Sequence, residues 1–170
     1  MQPVPRTWAK RIWALPFLSV LAPSERFYQE RKRPHKPVLC WARQMLKQVR
    51  RWLPNRNLVV TADSTYAALE FLAACQGLRK PITVVTRLRL DAALYDPAPA
   101  RLAKQIGRPR KKGARQPTLA ARLSDPNTVW TETRLAWYGA TRKSVRLASG
   151  TALWYHNGLP GVRIRWVLIT

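Results

Sequence analysis

Leu58-Val59-Val60-Thr61-Ala62-Asp63-Ser64 is the stretch on which the fold turns. Its first five residues are apolar or β-branched on both parities, which is the pattern of a strand buried on both faces. Asp63 stands at the carboxyl end of that strand. Ser64 follows as the cap of a predicted helix running to about Gln76, with Tyr66, Leu69, Leu72 and Ala73 inward and Gly77 as its stop. A second β-branched run, Ile82-Thr83-Val84-Val85-Thr86, lies within a predicted strand from Pro81 to Leu90. Strand, helix and strand within roughly 30 residues make a βαβ unit with parallel strands. Open parallel sheets place their sites at the carboxyl ends of strands, so Asp63 is a candidate site residue. The alternative is that its carboxylate only assists the helix N-terminus, an effect under about 1 kcal/mol.

Working toward the N-terminus, a helix is predicted from Pro37 to Leu53. Val38, Ala42, Met45, Val49 and Trp52 recur on one face, and Arg43, Lys47, Arg50 and Arg51 lie on the other. Pro37 suits the first helical position and Pro54 ends the pattern. Residues 24–36 read as a charged connection, and Trp8 to Leu21 as a strand or hairpin opening the core. Arg6, Lys10 and Arg11 followed by Ile12 to Ala22 imitate a secretory signal, but Pro16 interrupts the run and Glu25 and Arg26 follow at once. No segment reaches the roughly 20 apolar residues that span a bilayer. Cys40 and Cys75 match no metal-ligand spacing and read as small buried thiols in a reducing compartment. His35 and His156 are isolated from them, so the expectation is a cytoplasmic protein without a zinc site.

Toward the C-terminus, residues 91–127 are rich in Pro, Arg and Lys and show little periodicity. They contain Gly107-Arg108-Pro109-Arg110-Lys111-Lys112-Gly113, with Arg115 just beyond. Arg beside Gly and Pro makes a narrow extended insert that can lie along a DNA groove. The run resembles the core of an AT-hook, although Ile106 stands where that motif has Arg. Phosphate contact by Arg108, Arg110, Lys111, Lys112 and Arg115 is therefore the expected role, against a merely solvated basic loop. Beyond Thr128 the pattern is of strands: Val129 to Tyr138, Ser144 to Ala148, Thr151 to Tyr155 and Val162 to Ile169. Gly139, Gly150, Gly158 and Pro160-Gly161 are the predicted turns. The aromatic residues are spread through core positions, which argues against a base-stacking platform.

Charge supports a polyanionic partner. Thirty-one Lys and Arg face eight Asp and Glu, a formal net charge of +23 on 170 residues. Such self-repulsion is most simply offset by a polyanionic partner, which could be DNA, RNA or an anionic membrane surface. Residues 1–62 carry +11 and residues 101–170 carry +12, whereas residues 63–100 are neutral and hold four of the eight acids: Asp63, Glu70, Asp91 and Asp96. A divalent-metal site working on phosphodiesters would need such an acidic window, and ordinary solvated or capping acids would look the same.

Ala62-Asp63-Ser64-Thr65-Tyr66-Ala67-Ala68-Leu69-Glu70 resembles insertion-sequence transposases of the DDE superfamily, whose catalytic core is RNase H-like. Trp13-Ala14-Leu15-Pro16-Phe17-Leu18, Ala22-Pro23-Ser24-Glu25-Arg26, Thr86-Arg87-Leu88-Arg89-Leu90-Asp91-Ala92, the Gly-Arg-Pro-Arg-Lys-Lys-Gly run and Ile164-Arg165-Trp166-Val167-Leu168 are similar to stretches of one branch of these enzymes. The resemblance implies DNA as substrate, with no small-molecule substrate or membrane involved, and a homo-oligomer in the full-length family. It implies two Mg²⁺ ions held by two Asp and one Glu from separate elements, which activate water and then a 3′ hydroxyl for in-line attack. Asp63 matches the second of those acids, as catalytic residue and metal ligand. The β-rich stretch after Leu90 resembles the insertion such enzymes carry between the second and third.

The family's first acid belongs on a strand before Trp8 and its third on a helix beyond Ile169. Neither Glu70, Asp91 nor Asp96 stands in either place. One correctly placed carboxylate cannot hold two dications about 4 Å apart. The expected fold is α/β: an incomplete RNase H-like core with a β-rich basic insertion. Its expected parts are a partial core over 1–90, a basic connection over 91–127 and the β-rich stretch over 128–170. The expected function is that of a catalytically incomplete transposase remnant. Two rivals are a non-enzymatic basic DNA- or RNA-binding protein, and a nuclease completing its site with Glu70, Asp91, Asp96 or a second copy. Val162 to Ile169 is apolar over much of both faces, so missing cover predicts association of the isolated chain.

Overall fold

The computed structural model describes residues 16–100, 106–136 and 142–170. The chain divides into two compact units, residues 1–49 and 50–170. Residues 8–15 of the expected opening strand lie outside the described residues, and Pro16–Leu21 form no strand.

In the first unit the expected charged connection contains a helix, α1 (Glu25–Glu30), capped by Ser24, whose hydroxyl accepts the Phe27 N–H. The Ser-x-x-Phe spacing supplies the cap, and an Arg26–Glu30 pair one turn apart adds a weak exposed contact. The following helix, α2 (Val38–Trp52), begins one residue after Pro37, whose carbonyl accepts the first helical bonds from Cys40 and Trp41. None of its residues is fully buried, and Val38 and Trp52 are more than half exposed. Arg50, expected on the polar face, is the first residue of the second unit and there donates to the carbonyls of Leu53, Arg56 and Pro81. Three backbone carbonyls within reach of the guanidinium draw it toward the chain even where the periodicity places it outside.

The second unit opens with the expected βαβ arrangement. Strand β1 (Leu58–Ala62) pairs in parallel with β2 (Ile82–Thr86), from Leu58 opposite Ile82 to Ala62 opposite Thr86. Between them runs α3 (Leu69–Gln76), which buries Leu69, Phe71, Leu72 and Cys75. Phe71 and Cys75 replace the predicted Tyr66 and Ala73 as inward positions, because the helix starts later than its sequence suggests. Asp63, not Ser64, is the cap: its carboxylate closes a single 3₁₀ turn over Ser64–Tyr66, Ala67 and Ala68 leave helical geometry, and α3 restarts at Leu69. Gly77 ends α3 as expected. The strands are covered on one face only. Ile82 is buried, whereas Val59 and Val85 on the other face are 65% and 54% exposed.

The remaining chain builds an antiparallel sheet around β5 (Arg142–Trp154), which pairs with β3 (Leu94–Tyr95), β4 (Thr131–Ala136) and β6 (Val162–Ile169). The two strands expected on either side of Gly150 are one. Gly150 sits directly opposite Trp166, and a Cβ there would come 2.6 Å from the indole. Glycine here admits a cross-strand aromatic ring instead of making a turn. Val162, Ile164, Trp166 and Leu168 face inward as their alternation requires, and Val167 and Ile169 lie on the open face. The Pro/Arg/Lys-rich region is not wholly irregular: it contributes β3 and a short helix, α4 (Leu119–Ser124), capped by Thr118. Leu94 and Leu119 join Ala148, Ala152, Trp166 and Leu168 in one hydrophobic core. Two apolar side chains at a wide sequence spacing leave no periodic signal, yet suffice to anchor the segment. Gln76 of α3 donates to the Arg163 carbonyl at 2.7 Å, joining the βαβ element to β6.

Candidate functional site

Asp63 occupies the carboxyl end of β1, exposed, as the parallel pairing of β1 with β2 requires. Its Oδ1 accepts the Thr65 N–H at 2.9 Å, and its carbonyl accepts a short hydrogen bond from the Thr86 hydroxyl at the end of β2. Both strand ends are thus tied at the position where a parallel sheet presents reactive groups. The carboxylate also has a local structural role. Asp63→Ala should cost about 1 kcal/mol through loss of the cap, and Asp63→Asn only a few tenths, because the amide oxygen still accepts the Thr65 N–H. Urea midpoints of the two variants check this; equal losses would mean that charge and not capping matters.

The other acids of the neutral window have different partners. Asp91 pairs with Arg89 at 2.6 Å, and this hydrogen bond holds its carboxyl below the usual carboxylate range. Asp96 accepts the Gln116 amide at 2.7 Å, with its backbone paired to Gly113 and Ala114. Glu70 is exposed in the first turn of α3. All eight acids, both histidines and both cysteines of the sequence are among the described residues. Among them no three come together closely enough to hold a metal ion. These residues therefore do not fit a three-carboxylate, two-ion site, and the acidic window resolves into separate local contacts. His35 stacks edge-on against Tyr28, and His156 lies 3.0 Å from the Asn157 carbonyl. Both cysteines are free, and burial pushes the Cys75 thiol up.

The cationic residues are better organised. Arg108, Arg110 and Lys111 are exposed on the loop, as expected, with Gly107 in the left-handed region at φ 106°. Arg115 is exposed and its backbone bridges to Tyr95. Lys112, expected as a phosphate contact like its neighbours, lies beside two tyrosine rings. Its ammonium lies 3.8 Å from the centre of the Tyr95 ring and 4.9 Å from that of Tyr155. The Lys112 ammonium beside it holds the Tyr95 phenol below its usual range, against an opposing desolvation effect.

A second cationic group escaped sequence reasoning. The β4–β5 register sets Arg134 opposite Ser144, Ala136 opposite Arg142 and Glu132 opposite Arg146. Directly paired residues share a face, so Arg134, Arg142 and Arg146 are diagonal neighbours there. All three are exposed, and the Arg146 guanidinium lies 5.5 Å from the Trp130 ring. Like charges at such spacing repel, a cost that a bound polyanion reverses. The strand alternation was readable in the sequence, but the pairing register that groups these arginines was not.

Parallel strands with an acid at the carboxyl end, joined to a basic antiparallel sheet, define a mixed α/β protein. The sequence matches the DDE superfamily endonuclease family over residues 2–149, and the chain belongs to that family. Comparison with curated proteins and with solved structures gave no match. Among the described residues no helix is long and apolar enough to cross a membrane.

Proposed function

We propose that this chain is the DNA-holding part of an insertion-sequence transposase and contributes one carboxylate, Asp63, to a metal site it does not complete by itself. The observation that carries this reading is the position of Asp63 at the carboxyl end of a parallel strand, with no set of three ligating side chains around it among the described residues. Family membership supports DNA as the substrate. The exposed arginines of β4 and β5 and the Arg108–Lys111 tip supply phosphate contacts. The open face of the β1–β2 pair, with Val59 and Val85 outward, supports an RNase H-like core that needs further elements for cover. Mg²⁺ is the ion the complete site takes, and Asp63 the residue here that would hold it.

Purified chain with Mg²⁺ or Mn²⁺ should neither nick nor join duplex DNA, and Asp63→Ala should leave that result unchanged. A supercoiled-plasmid nicking assay over hours tests this directly. Metal-dependent cleavage that vanishes in Asp63→Ala would show that the chain assembles a complete site, overturning the proposal.

A further inference from the structure

We infer that Lys112 is a positioning residue for the cationic tip formed by Arg108, Arg110 and Lys111, and that Tyr95 and Tyr155 clasp it for that purpose; the role of the tip rests on the DNA-binding function proposed above. The two rings meet edge to face, 6.2 Å between centres at 85°, and the Lys112 ammonium lies over both. A cation over two aromatic faces is held by their quadrupoles. Tyr95 belongs to β3 and pairs with Leu153, while the Tyr155 N–H reaches the Ala93 carbonyl at 3.4 Å. The clasp is therefore mounted on the antiparallel sheet.

The chain after Lys112 is fixed to the same strand. Gly113 donates to the Asp96 carbonyl at 2.8 Å, Asp96 donates to Ala114 at 2.8 Å, and Gln116 donates to Leu94 at 2.9 Å. Gly113 lies so close to this strand that a Cβ would come 2.6 Å from the Pro97 carbonyl oxygen. The ladder ends at Gly113, and Lys112 extends the attachment by one residue through its side chain. Beyond it Arg108, Arg110 and Lys111 are exposed. Fixing the base of such a tip reduces the ordering cost when its cations meet a polyanion.

Limited tryptic digestion without DNA, followed by mass spectrometry, tests the clasp through cleavage after Arg110 and Lys111 relative to sites elsewhere. Lys112→Met and the double variant Tyr95→Leu/Tyr155→Leu should each accelerate that cleavage about tenfold, as expected when a local ordering contact is lost. Lys112→Arg, which keeps a cation over the rings, should restore the wild-type rate. Unchanged cleavage in Lys112→Met overturns the clasp, whether or not the tyrosine variant folds. In DNA titrations Lys112→Met should weaken binding severalfold with no change in salt slope. A slope shallower by about 0.9 would instead identify Lys112 as a phosphate contact and overturn the positioning role. Failure of the wild-type chain to bind DNA would remove the function proposed for the tip, and the digestion result would still decide the clasp separately.

Discussion

Trp166→Ala should destabilise the chain by about 3–5 kcal/mol, which is a third or more of the stability of an ordinary domain. Trp166 is 8% exposed at the centre of the core formed with Leu94, Leu119, Ala148, Ala152 and Leu168. Its ring lies across Gly150 on the paired strand, and the Arg122 guanidinium stands 5.0 Å from it. Removing the indole would empty the space that Gly150 leaves open and uncover Leu94 and Leu119, the two residues that fix the basic segment to the sheet. Trp166→Phe should cost less, since a ring remains and the buried indole N–H, which has no hydrogen-bond partner, is removed. The close approach predicts strong coupling. Gly150→Ala should cost about 1–3 kcal/mol in the wild-type background through overpacking, and close to nothing with Trp166→Ala. Denaturant titration of the four proteins measures the cycle; additive losses would mean that the ring and the glycine do not constrain one another.

Replacing Arg134, Arg142 and Arg146 together by Gln should produce the largest change in DNA affinity available from one strand pair. Each phosphate neutralised contributes about 0.9 to the slope of log affinity against log salt. Loss of three contacts makes the slope shallower by about 2.7, and near 0.15 M salt that corresponds to roughly a hundredfold weaker binding. The same number of substitutions at Arg108, Arg110 and Lys111 gives the matched comparison for the loop. Both sets should act alike on unrelated DNA sequences, because phosphate contacts position a protein without reading bases. Fluorescence anisotropy across a salt series, with thermal melts to confirm folding, provides the measurement. An unchanged slope in the strand variant would remove that face from the interface and leave the loop as the principal contact.

The parallel unit was legible because its signals are local. Leu58–Ala62 and Ile82–Thr86 are short β-branched runs, Gly77 punctuates the helix between them, and a crossover this short leaves few topologies. The misread details arose where one side chain had two local options. Asp63 and Ser64 are both good caps, and the structure uses Asp63, which shortens the helix to Leu69–Gln76. Gly150 can make a turn or admit a ring, and the distant Trp166 decides between them. The place of Lys112 beside the Tyr95 and Tyr155 rings had no local signal at all, since it depends on the approach of Tyr155 to Tyr95.

By itself the sequence determined the βαβ unit, the inward parity of Val162–Leu168, the cationic excess and the presence of an acid at a strand end. These depend on residue type and on spacings shorter than one element, where backbone geometry leaves little choice. Only the tertiary structure decided which cations share a surface and which acids stand apart. Pairing register placed Arg134, Arg142 and Arg146 together, and contacts between residues far apart in the chain gave Asp96 and Lys112 separate environments. Coulomb and hydrogen-bond interactions depend on distance in space, and a chain order of charges does not contain that distance until the strands have paired.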